Sequence, residues 1–533
     1  EVELTNRRTI SRNTHYMLTD SEAEELRKDS RVLACELTME EQGIVPVMLW
    51  EQTGDFEKSS TIDSSDKNWG LYRVNKGATV SNWGTNGSFT EISNRDLHTT
   101  WSGKNVDLVI VDALPNENHP EFAVNSDGTG GSRCQFSFNW FQYKSDLGYS
   151  SHPTTFDYTA MSEGHHGTHV AGIAAGNTQG WARDANIYTM GFTYTGITNW
   201  SEILWDYVRH FHKNKSINNT TGRRNPTVMN NSWGTSLGTN IQTSQVQTVT
   251  YRGTSTTITS MTDANKVSTL ESNGVPVYED FPLFGGSADV LYAIPSKNSA
   301  IDADVQDAID DGVIIVAAAG NSYWNHEESG GQDYDNSVYI APGPYGGTQY
   351  HSRGMSPASA TNAISVGNIG TKTQEYKNPS SNWGGAVDIW APGSNIVSSV
   401  YSNSNRNDEN AYSGTIADPR NSSYYIAPAS GTSMACPQVA GLLACLCEQE
   451  PNLTQAEALQ YLKEGAIADC GDDGTTPEQS DNEGFGDSND RYLFDLRKRP
   501  LDGMAHPAVL HKNRNTTTAG VKYPRVRNNR TTK

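Results

Sequence analysis

The segment Gly431-Thr432-Ser433-Met434-Ala435 runs into an apolar stretch ending Gln438-Val439-Ala440-Gly441, which sets a hydroxyl at the mouth of a predicted helix. Gly431 permits a tight turn. The first amides of a helix have no intrahelical acceptor, so they direct a partial positive charge at any oxyanion formed beside Ser433. A serine hydroxyl is a weak nucleophile and needs a base, and the base needs an orienting acid. Gly164-His165-His166-Gly167-Thr168-His169-Val170-Ala171-Gly172 offers the base, and Val106-Asp107-Leu108-Val109-Ile110-Val111-Asp112 is a strand closed by a carboxylate. The chain order is acid, base, nucleophile.

Trypsin-like barrels run His, Asp, Ser and α/β-hydrolases run Ser, Asp, His, and Ser433 does not lie in a G-x-S-x-G elbow. With its Asp, His, Ser order, the chain resembles the subtilisin-like serine peptidases. Val313-Ile314-Ile315-Val316-Ala317-Ala318-Ala319-Gly320-Asn321, Asn231-Ser232-Trp233-Gly234 and Val387-Asp388-Ile389-Trp390-Ala391-Pro392-Gly393 follow in family order, and the likeness covers roughly residues 68 to 470. The resemblance implies that Ser433 attacks the scissile carbonyl, His166 relays its proton, Asp112 holds the imidazole tautomer and Asn321 completes the oxyanion hole. It also implies that Ser232, Trp233, Gly234, Ala318 and Gly320 line the substrate cleft. His165 and His169 compete for the base role, but the family's H-G-T-H motif begins at His166. His169 then reads as a packed, hydrogen-bonded histidine and His165 as a solvated neighbour. Two departures stand out: Asp112 is followed by Ala113-Leu114-Pro115 where the family usually has Ser or Thr and then Gly, and Gln438 stands where many members carry His.

The elements that must position these residues follow an α/β pattern, Val- and Ile-rich strands alternating with helices. Trp200 to Phe211 places Ile203, Tyr207 and Phe211 on one helix face, and Ala303 to Asp310 leads into the strand before Asn321. The expected fold is α/β, a subtilisin-like parallel sheet with helices on both faces and the triad at the strands' carboxyl ends. A small α+β unit precedes it and β-rich insertions interrupt it.

Residues 1–50 read as a partial β-α-β unit: a strand at His15-Tyr16-Met17-Leu18, a helix opened by the Thr19/Glu22 capping box, and a strand at Val32-Leu33-Ala34-Cys35. This resembles half of a subtilase prosegment, which in the family assists folding and covers the cleft; a flanking subdomain without inhibitory role is the other reading. An acidic connection, 51–67, would carry the self-processing cut, before Trp69-Gly70-Leu71. The catalytic domain is expected over 68–500, with insertions near 123–164, 235–300 and 401–424. In the second of these, Val246 to Ser260 reads as a hairpin turning at Arg252-Gly253. Residues 501–533 form a basic tail, expected to be disordered or docked on an acidic partner.

Composition bounds the rest. At 533 residues, with a formal net charge of -21, the chain has ample material for a core and argues against a nucleic-acid-binding surface. No apolar run is long enough to span a bilayer. Six cysteines without a C-x-x-C spacing are too sparse for a disulfide scaffold and give no thiol metal site. No cofactor is required for the chemistry, and structural calcium is implied only by the family resemblance, with no ligands assigned. The opening Glu1-Val2-Glu3-Leu4-Thr5 carries no secretory signal, so an extracellular or virion-associated location is an expectation from resemblance.

Two functional classes stand. One is an endopeptidase that takes a polypeptide as an added strand. The other is an assembly protein, such as a phage virion component, with a latent or accessory subtilase domain; the insertions and basic tail motivate it, as does a looser resemblance to subtilase-like proteins of marine phages. The acids Glu327, Glu328, Asp333 and Asp335 and the neighbouring Trp233 leave an apolar and a basic primary pocket both open.

Overall fold

The computed structural model describes residues 3–7, 10, 13–48, 69–76, 101–161, 164–283, 286–371, 375–401, 416–418 and 420–466. The connection 51–67, the tail 501–533 and Cys470 lie outside the described residues.

At the N-terminus, β1 (Glu3–Arg7) pairs antiparallel with β2 (Thr14–Met17), and the Thr19/Glu22 capping box opens the helix Asp20–Arg27. Val32 to Cys35 is not a strand. Leu33 is 80% exposed, so the segment has no face to bury, and its backbone is held by Arg27 Nε donating to Cys35 O at 3.0 Å. The next strand is β3 (Ile44–Met48), whose partner lies far along the chain, as described below.

β4 (Asp107–Val111) is buried at every position and alternates its side chains between two cores. Leu108 and Ile110 join one cluster with Val170, Ile173, Val439 and Leu443; Val109 and Val111 join the other with Ile203, Tyr207, Phe211 and Val305. This two-sided burial is the mark of a parallel sheet covered on both faces. In that sheet β4 lies between β5 (Asn186–Met190) and β6 (Thr227–Asn231), and β13 (Ile314–Ala318) and β16 (Ile364–Thr371) continue it, all parallel. β18 (Ile389–Pro392) pairs parallel with β16, while β17 (Glu375–Lys377) pairs with it antiparallel. The helices His165–Ala175 and Thr432–Gln449 fill the first face, and Trp200–Asn214 and Ser299–Asp310 fill the second. The fold is therefore α/β with helices on both faces, as expected, with additional antiparallel sheets.

Part of those smaller sheets comes from the insertion near 235–300. β7 (Trp233–Leu237) leaves the central sheet and leads into β8 (Ile241–Gln242), β9 (Val246–Tyr251), β10 (Thr254–Thr257), β11 (Tyr278–Leu283) and β12 (Gly286–Leu291). β9 and β10 turn through Arg252 and Gly253, both at positive φ, the geometry of a two-residue hairpin. β14 (Ser337–Ile340) joins β9 and β15 (Gly347–Gln349), and Leu237, Val249, Leu270, Leu291, Trp324 and Val338 form a separate core under these sheets. Later in the chain β19 (Ile396–Val400) and β20 (Ile416–Asp418) flank β21 (Asn421–Ala429). The insertion near 123–164 is not a surface excursion: Trp140, Phe141, Leu147 and Phe156 are buried among Tyr194, Trp200 and Tyr207, because its aromatic residues complete the second core.

The N-terminal unit sits on the second helical layer. His15 Nε2 lies 3.0 Å from the buried Glu202 Oε2, Asn13 Nδ2 donates to Ala300 O at 2.8 Å, and Met39 is buried with its Sδ 3.6 Å from Ser201 Oγ.

Candidate active site

Asp112 follows the last residue of β4, at the carboxyl edge of the parallel sheet where open α/β folds gather ligands. Its Oδ1 accepts the Ala113 amide at 2.7 Å and lies 2.7 Å from His166 Nδ1, with both side chains buried. The two residues meet because the helix His165–Ala175 lies against the turn after β4. Close approach is possible only at glycine: a Cβ on Gly167 would stand 1.8 Å from Ala113 O.

The other histidines separate by contacts. His169 Nε2 is 2.9 Å from Ala427 O, and burial above all depresses its pKa to about 3, so it is a neutral packing residue. His165 is 4% exposed; the solvated position expected for it is corrected, because the first turn of its helix is covered and every residue of that helix is buried.

Ser433 is the second residue of the helix Thr432–Gln449, and its Oγ donates to Ser232 O at 3.1 Å while Ser232 Oγ donates back to Ser433 O at 3.0 Å. As a first-turn residue it has an amide without an intrahelical acceptor. Asn321 stands beside it in a fixed orientation. Its Oδ1 accepts both the Thr432 amide and the Thr432 hydroxyl at 2.9 Å, so its Nδ2 points the other way, buried and without a protein acceptor. Gly320, at φ +111, makes the turn that delivers Asn321; a Cβ there would stand 2.2 Å from Asn382 Nδ2. Asn382, which sequence reasoning missed, organises this loop by donating to Ala319 O at 2.9 Å and accepting the amides of Ser322 at 3.0 Å and Trp324 at 2.9 Å. No motif marks it, since Asn382 lies 60 residues downstream of Ser322.

The residues assigned to the cleft fall on two segments. Ala318 ends β13, and Gly320 donates its amide to Thr432 Oγ1 at 3.1 Å. Ser232, Trp233 and Gly234 run from β6 into β7. The Trp233 indole does not face a pocket: it is fully buried, stacked on Phe192 with centroids 5.9 Å apart, and donates to Asn231 Oδ1 at 3.2 Å. A large apolar side chain on this strand is thus held by the second core. Two of the acids are also accounted for, Asp333 by Arg252 at 2.7 Å and Asp335 by Arg353 at 2.6 Å.

β3 pairs antiparallel with β7, Ile44 opposite Leu237, Val45 opposite Ser236, Pro46 opposite Thr235, Val47 opposite Gly234 and Met48 opposite Trp233. The N-terminal segment thus runs toward Ser232 and the helix that carries Ser433.

Among the described residues no three His, Cys, Asp or Glu side chains gather where they could hold a metal ion. Cys35, Cys134, Cys436, Cys445 and Cys447 form no disulfides. No described helix is long and apolar enough to cross a membrane.

Residues 103–486 match the Subtilase family, and the chain belongs to that family. It is 25% identical over 420 residues to subtilisin-like protease 2 of Trichophyton tonsurans, covering 78% of this chain and 66% of that one. It is 35% identical over 149 residues to a cuticle-degrading serine protease of Orbilia oligospora, covering 28% of this chain and 24% of the relative. With subtilisin-like protease 3 of Saccharomyces cerevisiae it shares 31% identity over 222 residues, 39% of this chain and 36% of the relative. The chain thus spans well under half the length of the latter two relatives. A crystal structure of a cold adapted subtilisin-like serine proteinase aligns over 81% of this chain and 98% of its own, at 21% identity and a TM-score of 0.43.

Proposed function

We propose that the chain is a serine endopeptidase in which Ser433 is the nucleophile, His166 the general base and then acid, Asp112 the orienting carboxylate and Asn321 a donor to the oxyanion. The observation that carries this reading is the Asn321 carboxamide: its oxygen is tied down by Thr432, and its NH2 is a buried donor kept without a protein acceptor beside the Ser433 amide. A buried donor left unmatched costs about 1–3 kcal/mol, a cost that becomes useful when charge develops there.

In this scheme the Ser433 hydroxyl turns from Ser232 O to His166 Nε2, gives up its proton and attacks the peptide carbonyl carbon. The oxyanion takes hydrogen bonds from the Ser433 amide and Asn321 Nδ2. His166 then protonates the departing amine from Nε2, and the acyl group remains on Ser433 Oγ. Water, deprotonated by His166, releases the acid and restores the serine. Throughout, Asp112 holds Nδ1–H and stabilises the imidazolium, with no proton of its own.

The same reading makes the N-terminal unit a cover over the cleft. Its support is the pairing of β3 along β7, strand to strand as a peptide substrate would bind, and its seating on two surface helices. The alternative, a subtilase domain held as scaffold in a virion or similar assembly, has no described residue behind it.

Incubating an unfolded polypeptide with the protein tests the proposal. Peptide-bond hydrolysis that disappears in Ser433→Ala and in His166→Ala is the expected result; unchanged hydrolysis in either variant overturns it.

A further inference from the structure

We infer that the insertion after Gly234 lengthens the substrate edge, so that the chain recognises the backbone of a polypeptide out to the seventh residue before the scissile bond. The inference rests on the peptidase reading above and concerns what the site takes rather than whether it cuts.

The edge can be read bond by bond. Thr235 donates its amide to Ser356 O at 2.9 Å and its carbonyl accepts from Ser296 at 3.1 Å, while the Leu237 amide donates to Ile294 O at 3.0 Å. Those groups face away from β3. Alternation along a strand then turns the amides and carbonyls of Gly234, Ser236 and Gly238 toward β3. The Gly238 amide donates to Gly43 O at 2.9 Å, one step beyond the paired strand. The register is pinned by Pro46: lacking an N–H, it is tolerated only where no ladder bond is required, and it lies opposite Thr235, whose own amide is engaged elsewhere. A slip by one residue would put it where a donor is needed.

A substrate residue whose carbonyl is attacked by Ser433 lies opposite Ser232, since the Ser433 hydroxyl rests on the Ser232 carbonyl. Counting back, the third, fifth and seventh residues lie opposite Gly234, Ser236 and Gly238. The fifth and seventh positions exist because the insertion braces β7 from behind, through Ile294 and Ser296, over its own apolar core of Leu237, Leu291 and Ile294. Tyr345 closes the far end, where a Cβ on Gly43 would meet its ring at 2.4 Å. The occupant is therefore an extended polypeptide, held by its backbone over this span. β3 is the segment of this chain already seated there.

The test uses the full chain carrying Val45→Pro and Val47→Pro, which removes two amide donors of β3 and frees the edge. Peptides with four, seven and ten residues before the cut are compared, together with seven-residue peptides N-methylated at the fifth or sixth residue. The expected kcat/KM rises at least tenfold from four to seven residues and less than twofold from seven to ten. N-methylation at the fifth residue, whose N–H faces Ser236, removes that gain, and N-methylation at the sixth leaves it. Equal turnover of the four- and seven-residue peptides, or equal effects of the two methylations, overturns the extended edge and leaves the peptidase reading standing. Absence of hydrolysis at every length overturns the peptidase reading and the extended edge with it.

Discussion

Ser433 and Ser232 clasp each other, each hydroxyl donating to the other's carbonyl, at 3.1 Å from Ser433 and 3.0 Å from Ser232. The clasp ties the start of the helix carrying the proposed nucleophile to the strand proposed to hold substrate. Ser232 Oγ also accepts from Asn230 Nδ2 at 3.0 Å, so Ser232→Ala strands a buried donor as well as removing a bond. We expect a stability loss of about 1–3 kcal/mol in urea unfolding. A variant as stable as wild type contradicts the role given to the clasp.

Asn321→Ala should lower kcat about 10²–10³-fold with little change in KM. That magnitude is the one known for an oxyanion-hole asparagine of subtilisin and is borrowed from that enzyme. Thr432→Val removes one of the two donors that orient Asn321 Oδ1, and its kcat should fall between those of wild type and Asn321→Ala. Steady-state kinetics on both variants check the ordering.

Gly167→Ala and Gly172→Ala separate packing from chemistry. The first Cβ would stand 1.8 Å from Ala113 O and 3.2 Å from Asp112 Oδ1; the second would stand 2.2 Å from Ser398 Oγ. Overpacking of this kind costs about 1–3 kcal/mol or more. Both variants should lose thermal stability. Activity per folded molecule should fall sharply only in Gly167→Ala, which displaces the Asp112–His166 contact.

Acid should destabilise the fold through its buried histidines. His169, His326 and His351 are each held near a pKa of about 3, chiefly by burial, against an ordinary value of 6.5. Below pH 6.5 the unfolded chain takes up protons that the folded one refuses, so stability falls as pH drops from 6.5 toward 3. Each group contributes about 1.4 kcal/mol per pH unit in that window. The midpoint of urea unfolding should track this fall, and His351→Gln should make the pH dependence shallower by one proton.

Self-processing is expected just beyond β3, because Met48 lies opposite Trp233, the neighbour of Ser232. Continuing that register by one residue puts the cut after Leu49, so terminal sequencing should find a new N-terminus at Trp50, just ahead of the 51–67 connection expected from the sequence, in wild type and not in Ser433→Ala. An identical terminus in both assigns the cut to another protease.

Much of the sheet and of the site was legible because the signals are local. Four buried apolar residues running up to Asp112, the helix signals around His166 and Ser433, and the Arg252-Gly253 turn each sit within a few residues. What escaped depends on distant partners. Pairing of Ile44–Met48 with Trp233–Leu237 joins segments with no shared pattern, and Val32 to Cys35, although apolar enough for a strand, has no edge to join. Burial of His165, and the turning of the Trp233 indole into the second core, follow from the layers stacked over them rather than from their neighbours in sequence. Asn382 was invisible for the same reason.

The most direct measurement is covalent labelling with a fluorophosphonate probe, followed by peptide mapping. The triad predicts modification of wild type at Ser433, and none of Ser433→Ala or of His166→Ala, in which the hydroxyl remains but its base is gone. Labelling of His166→Ala at the wild-type rate, or a folded wild type that takes no label at Ser433, would contradict it.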